Sequence, residues 1–306
     1  MREGRRPGPS TRVRVHEVLT SSRPGPDTGQ NTGPNTGPAA AVRRHEDRLA
    51  TEEPLEVRLA GPGRPAARVA VTMRSPGHDF ELATGFLYAE GVLASSDDLR
   101  TVAYCTDQTL TREQEFNVVT VELSRPPRRA PADRYAGLAA ASSACGVCGT
   151  ESIDDVLALC DVRASSRWED LRVPTEVLLS LPERLREAQR VFDSTGGLHA
   201  AGLFDATGTP FVVREDIGRH NAVDKVVGAR VLAGESPAAP LLCVSGRIGF
   251  EIVQKATVAG IGVLAAVGAP SSLAVDLARR AGLCTAGFVR DGRFVVYAAP
   301  ERLDGV

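Results

Sequence analysis

Cys145 and Cys148 stand in the stretch Cys145-Gly146-Val147-Cys148-Gly149, behind the small-residue run at 139–144. Glycines at 146 and 149 allow positive φ and leave both sulfurs free of flanking bulk. Three chemistries use such a pair. A zinc site needs two further ligands at sensible spacing, and the chain has no second CxxC and no HxxxH. A zinc nucleobase deaminase needs H-x-E ahead of P-C-x-x-C. Neither His16-Glu17 nor His45-Glu46 has that form, and no proline precedes Cys145. A dithiol redox pair fits the spacing but lacks the thioredoxin-like setting of a strand and an aromatic before the pair. Sulfur relay remains. A thiolate attacks a donor persulfide, carries the terminal sulfur, and is relieved of it by a neighbouring thiol. No metal is expected.

A second group is Glu215-Asp216-Ile217-Gly218-Arg219-His220-Asn221, followed by a helical pattern at 222–232. Asp216 or Asn221 suits its N-cap. The plainer account has the acids capping that helix and Arg219 pairing with them at the surface. Capping needs one polar residue, whereas five stand here. With Lys225 close behind, Arg219 and His220 at a helix N-terminus suit an anion such as phosphate. Ser245-Gly246-Arg247 and Ala269-Pro270-Ser271-Ser272 stand at two successive strand-to-helix junctions, a polar rim where ligands of open α/β sheets bind. The chain's only lysines are Lys225 and Lys255; ammonium and guanidinium groups are not equivalent, so the two positions read either as ones that need a compact charge or as chance.

The elements that position these groups follow from periodicity. The C-terminal third alternates: strands at 241–245, 262–267 and 286–290, helices at 248–259 and 272–280. Ser271 caps the second helix and Gly282 ends it. Short links between them imply parallel strands with right-handed crossovers. Asp291-Gly292 is a hairpin turn into 294–297, which by itself leaves Arg290 and Arg293 solvated. Earlier, 55–59 with 67–73 and 200–205 with 210–214 read as hairpins, and 116–123 as a strand. Asp79 is the expected cap of a helix over 80–91. Helices are expected at 152–160, and at 173–181 and 183–192 with Pro182 between them.

Residues 1–45 read as a largely flexible N-terminal segment. Its stretch at 21–41 is rich in Pro and Gly, too poor in large apolar groups to offset its ordering entropy. A strand at 12–18 precedes that stretch, and Arg43-Arg44-His45 follows it as a solvated charge run. Residues 46–135 read as a smaller α+β domain, and 136–306 as an α/β domain that begins with the cysteine loop. The 306 residues are 42% hydrophobic and 24% charged, with a formal net charge of −2. That balance provides no global field for nucleic acid or anionic membrane. No apolar run approaches the roughly 20 residues of a membrane span, and the N-terminus lacks a secretory core. The expected location is cytoplasmic, where the six cysteines default to thiols. Cys243 and Cys284 read as core filler.

The motifs MRSPGHDFELATGFLYAEG, ACGVCG, EDIGRHNAVDKVVG, SGRIGFEIVQKA, APSSLAVDLA and GFVRDGRFVVY, in that order, resemble the formate dehydrogenase accessory sulfurtransferase family (FdhD) from about residue 45 onward. The resemblance implies a cytoplasmic sulfur carrier. It would take sulfur from a cysteine desulfurase and pass it to the molybdenum cofactor, as bis(molybdopterin guanine dinucleotide), before insertion into formate dehydrogenase. Cys145 matches the persulfide-bearing cysteine and Cys148 the second thiol. Phe288, Val289, Arg290, Asp291, Gly292 and Arg293 match the cofactor-binding segment. The implied fold is a cytidine-deaminase-like three-layer α/β sandwich with a smaller α+β N-terminal domain, as a homodimer. Two other readings are a non-catalytic chaperone for the cofactor and a dithiol oxidoreductase.

Overall fold

The computed structural model describes residues 7–19, 41–105, 111, 115–129 and 167–306. The CxxC stretch and the helix expected at 152–160 lie outside the described residues. Strands β1 (Ser10–Leu19) and β2 (Ala41–Ala50) pair antiparallel, Ser10 against Ala50 and Leu19 against Ala41. The strand expected at 12–18 is therefore present. Arg43-Arg44-His45, read as a solvated charge run, lies within β2: its backbone pairs, and both arginines are exposed as that reading has them. β2 also runs across residue 46, where the sequence reading begins a new domain.

β3 (Glu53–Gly61) and β4 (Arg64–Arg74) form the expected hairpin. β3 alternates as a half-buried strand should, with Leu55, Val57 and Leu59 inward and Glu56 and Arg58 less buried on the other side. Helix α1 (Asp79–Ala89) covers the inner face through Leu82 and Leu87. β5 (Leu99–Tyr104), unforeseen in the sequence, and β6 (Val118–Leu123) complete a sheet of order β4-β3-β6-β5, in which β3 and β6 run parallel. Asp79 does not cap α1. The cap position is His78, at φ 58°, with no side-chain cap bond. Asp79 is instead buried, accepting from Arg74 Nε at 3.0 Å and from the Tyr104 hydroxyl at 2.8 Å.

Beyond residue 167, α2 (Thr175–Glu187) runs through Pro182 as one helix, and the short α3 (Arg190–Thr195) follows. Pro182 removes one backbone donor, but Leu178, Leu181 and Leu185 form a single apolar stripe across it, all buried against the sheet. Tertiary packing outweighs the local break. Next come β7 (His199–Phe204), β8 (Pro210–Asp216), α4 (Arg219–Leu232), β9 (Leu241–Val244), α5 (Phe250–Ala259), β10 (Val263–Ala266), α6 (Ser272–Ala281), β11 (Cys284–Arg290) and β12 (Arg293–Ala298). The sheet order is β12-β11-β10-β9-β7-β8, with β9, β10 and β11 parallel as expected. Leu242, Val244, Leu264 and Ala266 pack with α4, α5 and α6. Leu241, Cys243, Val263 and Ala265 pack with the α2 leucines on the other face. The result is mixed α/β, with helices on both faces of the larger sheet. Cys243 and Cys284 are fully buried, and burial pushes both thiols up to about 12, which makes them inert core groups.

The four-stranded and six-stranded sheets are joined through α1 and α4. Gly85 and Gly228 let these helices meet backbone to backbone: a Cβ on Gly85 would strike the Asp224 carbonyl, and one on Gly228 the Glu81 carbonyl. Beside this crossing, a buried network ties the turn after β4 to the start of α4. Asp216, fully buried, receives Lys225 Nζ at 2.6 Å and the amides of Ser75 at 3.2 Å and Gly218 at 2.8 Å. Lys225 Nζ also donates to the Ser75 and Glu215 carbonyls at 3.0 and 3.2 Å. Asn221 Nδ2 bridges Asp216 and the Met73 carbonyl.

Glycine-to-alanine changes inside a helix ordinarily stabilise by up to about 1 kcal/mol. Gly228→Ala is expected to do the reverse, costing about 3 kcal/mol in urea denaturation because only backbone stands in the way. Lys225→Met is expected to cost about 3–5 kcal/mol by stranding the buried Asp216 carboxylate. Adding Asp216→Asn should recover part of that loss, and a double variant no more stable than the single would contradict the pairing.

Candidate functional site

Topology brings the polar motifs to one edge of the six-stranded sheet. β9, β10 and β11 are parallel, so Ser245-Gly246-Arg247, the 267–271 turn and the end of β11 emerge on the same side. β7 runs against β9, which places its first residue, His199, where β9 ends. β8 runs against β7 with Asp216 opposite His199, so the N-terminus of α4 rises from that edge too. Arg290 pairs with Arg293 there as well. The turns approach closely: a Cβ on Gly268 would lie 2.8 Å from the Gly246 carbonyl oxygen, and one on Gly287 would lie 3.0 Å from the Gly268 carbonyl oxygen. Only glycine lets these three loops stack backbone on backbone.

A cavity of about 670 Å³ opens at this edge, lined by Arg219, His220, Arg247, Glu251, Ser271 and neighbouring residues. Arg219 and His220 begin α4, and Glu251 lies in the first turn of α5. Ser271 caps α6, its hydroxyl oxygen accepting from the Ala274 amide at 3.3 Å. Helix N-termini therefore face the cavity together with two guanidinium groups, a setting made for anions. His220 Nδ1 lies 2.9 Å from Glu251 Oε2. Burial pushes Glu251 up, but the His220 bond and charge, with help from Lys255 and Arg219, bring it down to about 2. A smaller cavity of about 460 Å³ lies beside it, lined by Phe192, Gly196, Gly197, Leu198, His199 and Ser245 among others. His199 is lowered by burial and then by the charges of Arg219, His220 and Arg247, against an opposing contribution from Asp216. The Ser245 hydroxyl accepts from the Ala200 amide at 2.9 Å, holding β7 to the end of β9.

The structure thus brings Arg219, His220, Arg247 and Ser271 together and places Ser245 in the neighbouring cavity. Asp216 does not belong with them. It neither caps α4, whose cap position is Gly218, nor reaches solvent, because its carboxylate is spent on Lys225 and backbone amides. Lys225 is likewise buried and does not present charge to an anion. Lys255 is buried against Asp224, donating at 2.7 and 2.9 Å, rather than turned to solvent. The segment 288–293 adjoins the first cavity through the contact between Gly287 and Pro270 without lining it. Asp291 and Gly292 take φ of 52° and 73°, the double positive φ of a tight hairpin turn. Phe288 also has a positive φ, 55°, and its amide donates to the Gly268 carbonyl. Val289 is buried in the core, so toward a ligand it has only its backbone, while Arg290 and Arg293 are exposed.

His199 and Glu251 were not singled out in the sequence. His199 opens a strand whose neighbour is fixed only by the sheet order, and Glu251 reads as an ordinary first-turn acid. Among the described residues no cluster of three or more His, Cys, Asp or Glu has metal-binding geometry. No helix of the described residues is long and apolar enough to cross a membrane.

Comparisons with known proteins bear on the fold and the family. A structure assigned to a formate dehydrogenase accessory protein of Desulfotalea psychrophila superposes with a TM-score of 0.65, covering 95% of this chain and 99% of that one. At 22% identity it speaks to the fold. Proteins named "Sulfur carrier protein FdhD" are much closer in sequence. That of Streptomyces avermitilis is 48% identical over 269 residues, covering 86% of this chain and 91% of the relative. That of Nocardia farcinica is 46% identical, covering 88% and 92%, and that of Mycobacterium tuberculosis 45%, covering 87% and 95%. The family profile described as FdhD/NarQ matches residues 50–304, nearly all of the chain beyond β2, and the chain belongs to the FdhD/NarQ family.

Proposed function

We propose that this chain is a sulfur carrier. It receives sulfur as a persulfide on Cys145 from a cysteine desulfurase and passes it to a molybdenum cofactor destined for formate dehydrogenase. The observation that carries the reading is the convergence of Arg219, His220 and Arg247 on a cavity faced by helix N-termini, in a chain whose relatives are sulfur carriers. The acceptor, bis(molybdopterin guanine dinucleotide), carries two pyrophosphates, and guanidinium forks with backbone amides are suited to phosphate oxygens. Arg290 and Arg293, exposed beside the same edge, extend that phosphate-binding surface in this account. The acceptor is cargo rather than a resident group, and no metal of the protein's own is invoked. We read the layered fold as cytidine-deaminase-like, sharing the architecture of that group but not its zinc. The family resemblance also implies a homodimer and a cytoplasmic location.

In loading, the Cys145 thiolate attacks the terminal sulfur of the donor persulfide. An S–S bond forms at Cys145, the donor's S–S bond breaks, and the donor cysteine leaves as thiolate. In release, the Cys148 thiolate attacks the Cys145 sulfur. A Cys145–Cys148 disulfide forms, the terminal sulfur departs at the oxidation level of sulfide, and an external dithiol reductant restores the pair. The cavity residues hold the acceptor by its phosphates; the cysteines do the sulfur chemistry.

After incubation with a desulfurase and cysteine, intact-mass spectrometry is expected to find one added sulfur on the wild-type chain and none on Cys145→Ala. An undiminished adduct on the variant would remove Cys145 from the account. GDP represents the guanosine and phosphate arm of the acceptor. By calorimetric titration, Arg219→Ala and Arg247→Ala are each expected to weaken it about tenfold to a hundredfold, the range of a lost charge-assisted hydrogen bond. Unchanged affinity in both would move the phosphate site elsewhere.

A further inference from the structure

We propose that Glu251 is a positioning residue for His220: its carboxylate orients the imidazole so that the ring bonds an anionic oxygen in the 670 Å³ cavity. This rests on the reading of that cavity as a phosphate site. Glu251 is the only acidic residue lining it among the described residues, facing Arg219, His220 and Arg247. An acid in a pocket built for anions lowers the affinity by simple Coulomb repulsion, so its presence needs a reason. The geometry provides one. Glu251 Oε2 lies 2.9 Å from His220 Nδ1, and both side chains are about three-quarters buried, at 24% and 22% exposure.

Lys255 and Arg219 also act on Glu251 by charge, and the lysine is already committed. Lys255, one turn further along α5, directs its ammonium at both oxygens of Asp224, at 2.7 and 2.9 Å. His220 Nδ1, at 2.9 Å, stands within hydrogen-bonding distance of the Glu251 carboxylate. The two residues stand in the first turns of adjacent helices, α4 and α5, so the bond also ties together the two N-termini that face the cavity. A carboxylate in the first turn is itself favoured by the helix dipole, which keeps Glu251 ionised and in place. A carboxylate on one ring nitrogen fixes the orientation of the imidazole and leaves the other nitrogen for the ligand. Between Glu251 on one side and a phosphate on the other, the ring donates one N–H to each.

Positioning and plain charge predict opposite results for the same substitutions. Glu251→Gln keeps an acceptor for Nδ1–H and removes the charge; Glu251→Ala removes both. By titration with GDP, positioning predicts that Glu251→Ala binds about tenfold more weakly, while Glu251→Gln stays within about threefold of wild type. A repulsive carboxylate and nothing more predicts that both variants bind more tightly, and that result would overturn the proposal. The ring ¹⁵N resonances provide a second readout, tractable because the chain has only five histidines. The protonated Nδ1 signature of His220, assigned by its loss in His220→Gln, is expected to persist in Glu251→Gln and to change in Glu251→Ala. Unchanged ring signals in Glu251→Ala would also overturn it. If GDP fails to bind the wild-type chain, or binds Arg247→Ala as well as wild type, the cavity reading itself falls. That outcome is distinct from a wild-type site that simply ignores Glu251.

Discussion

The ion pair between Asp216 and Lys225 is the constraint on which the rest of the structure depends. Both groups are buried, and every oxygen or proton they expose to each other's surroundings finds a partner, including the Ser75 amide and carbonyl from the other sheet's side of the molecule. A buried pair with one partner removed costs several kcal/mol, whereas the intact pair contributes little beyond a hydrophobic substitute. Its value here is geometric. Asp216 is the last residue of β8 and Arg219 the first of α4, so the pair sets where the helix begins. Moving it would move Arg219 and His220 together. The backbone contact of Gly85 with α4 and the Arg214–Glu81 pair at 2.6 and 2.8 Å reinforce the same interface.

That anchoring explains how the protein tolerates a local electrostatic conflict. Two arginines and a histidine are gathered near helix N-termini, which are themselves positive, around one cavity. Left to itself such a cluster would spread. The stacked turns at Gly246, Gly268 and Gly287 fix the backbone beneath it, and Glu251 offsets part of the charge while holding His220. A rigid site with an excess of positive charge is preorganised for a multiply charged anion, because little reorganisation remains to be done on binding. The two lysines fit the same logic from the other side. Each is a buried point charge on a buried carboxylate, leaving the exposed cation work to arginine.

Much of this was legible before any coordinates. The strand–helix alternation after residue 241 specified the parallel strands and hence the shared edge, and with it Arg247 and Ser271. The hairpin at Asp291-Gly292 followed from turn chemistry alone. What escaped has identifiable physical causes. Pro182 read as a break because periodicity does not show how strongly Leu178, Leu181 and Leu185 are held by the sheet behind them. Asp79 and Asp216 read as caps because a carboxylate before a helix usually is one, whereas here each is consumed by a buried cation: Arg74, before Asp79 in the chain, and Lys225, well inside the helix that follows Asp216. His199 and Glu251 required the sheet order and helix packing to become neighbours of Arg219 and His220. No local pattern encodes a contact between residues so far apart in sequence.

The central claim joins sulfur on Cys145 to an acceptor held at the arginine-lined edge, and a single-turnover transfer experiment tests it most directly. The chain is loaded with radiolabelled sulfur by a desulfurase, freed of donor, and mixed with molybdenum cofactor. The account predicts that wild-type chain passes its label to the cofactor, while a loaded Arg219→Ala/Arg247→Ala double variant keeps the label on Cys145. Delivery by the double variant at the wild-type rate would contradict it.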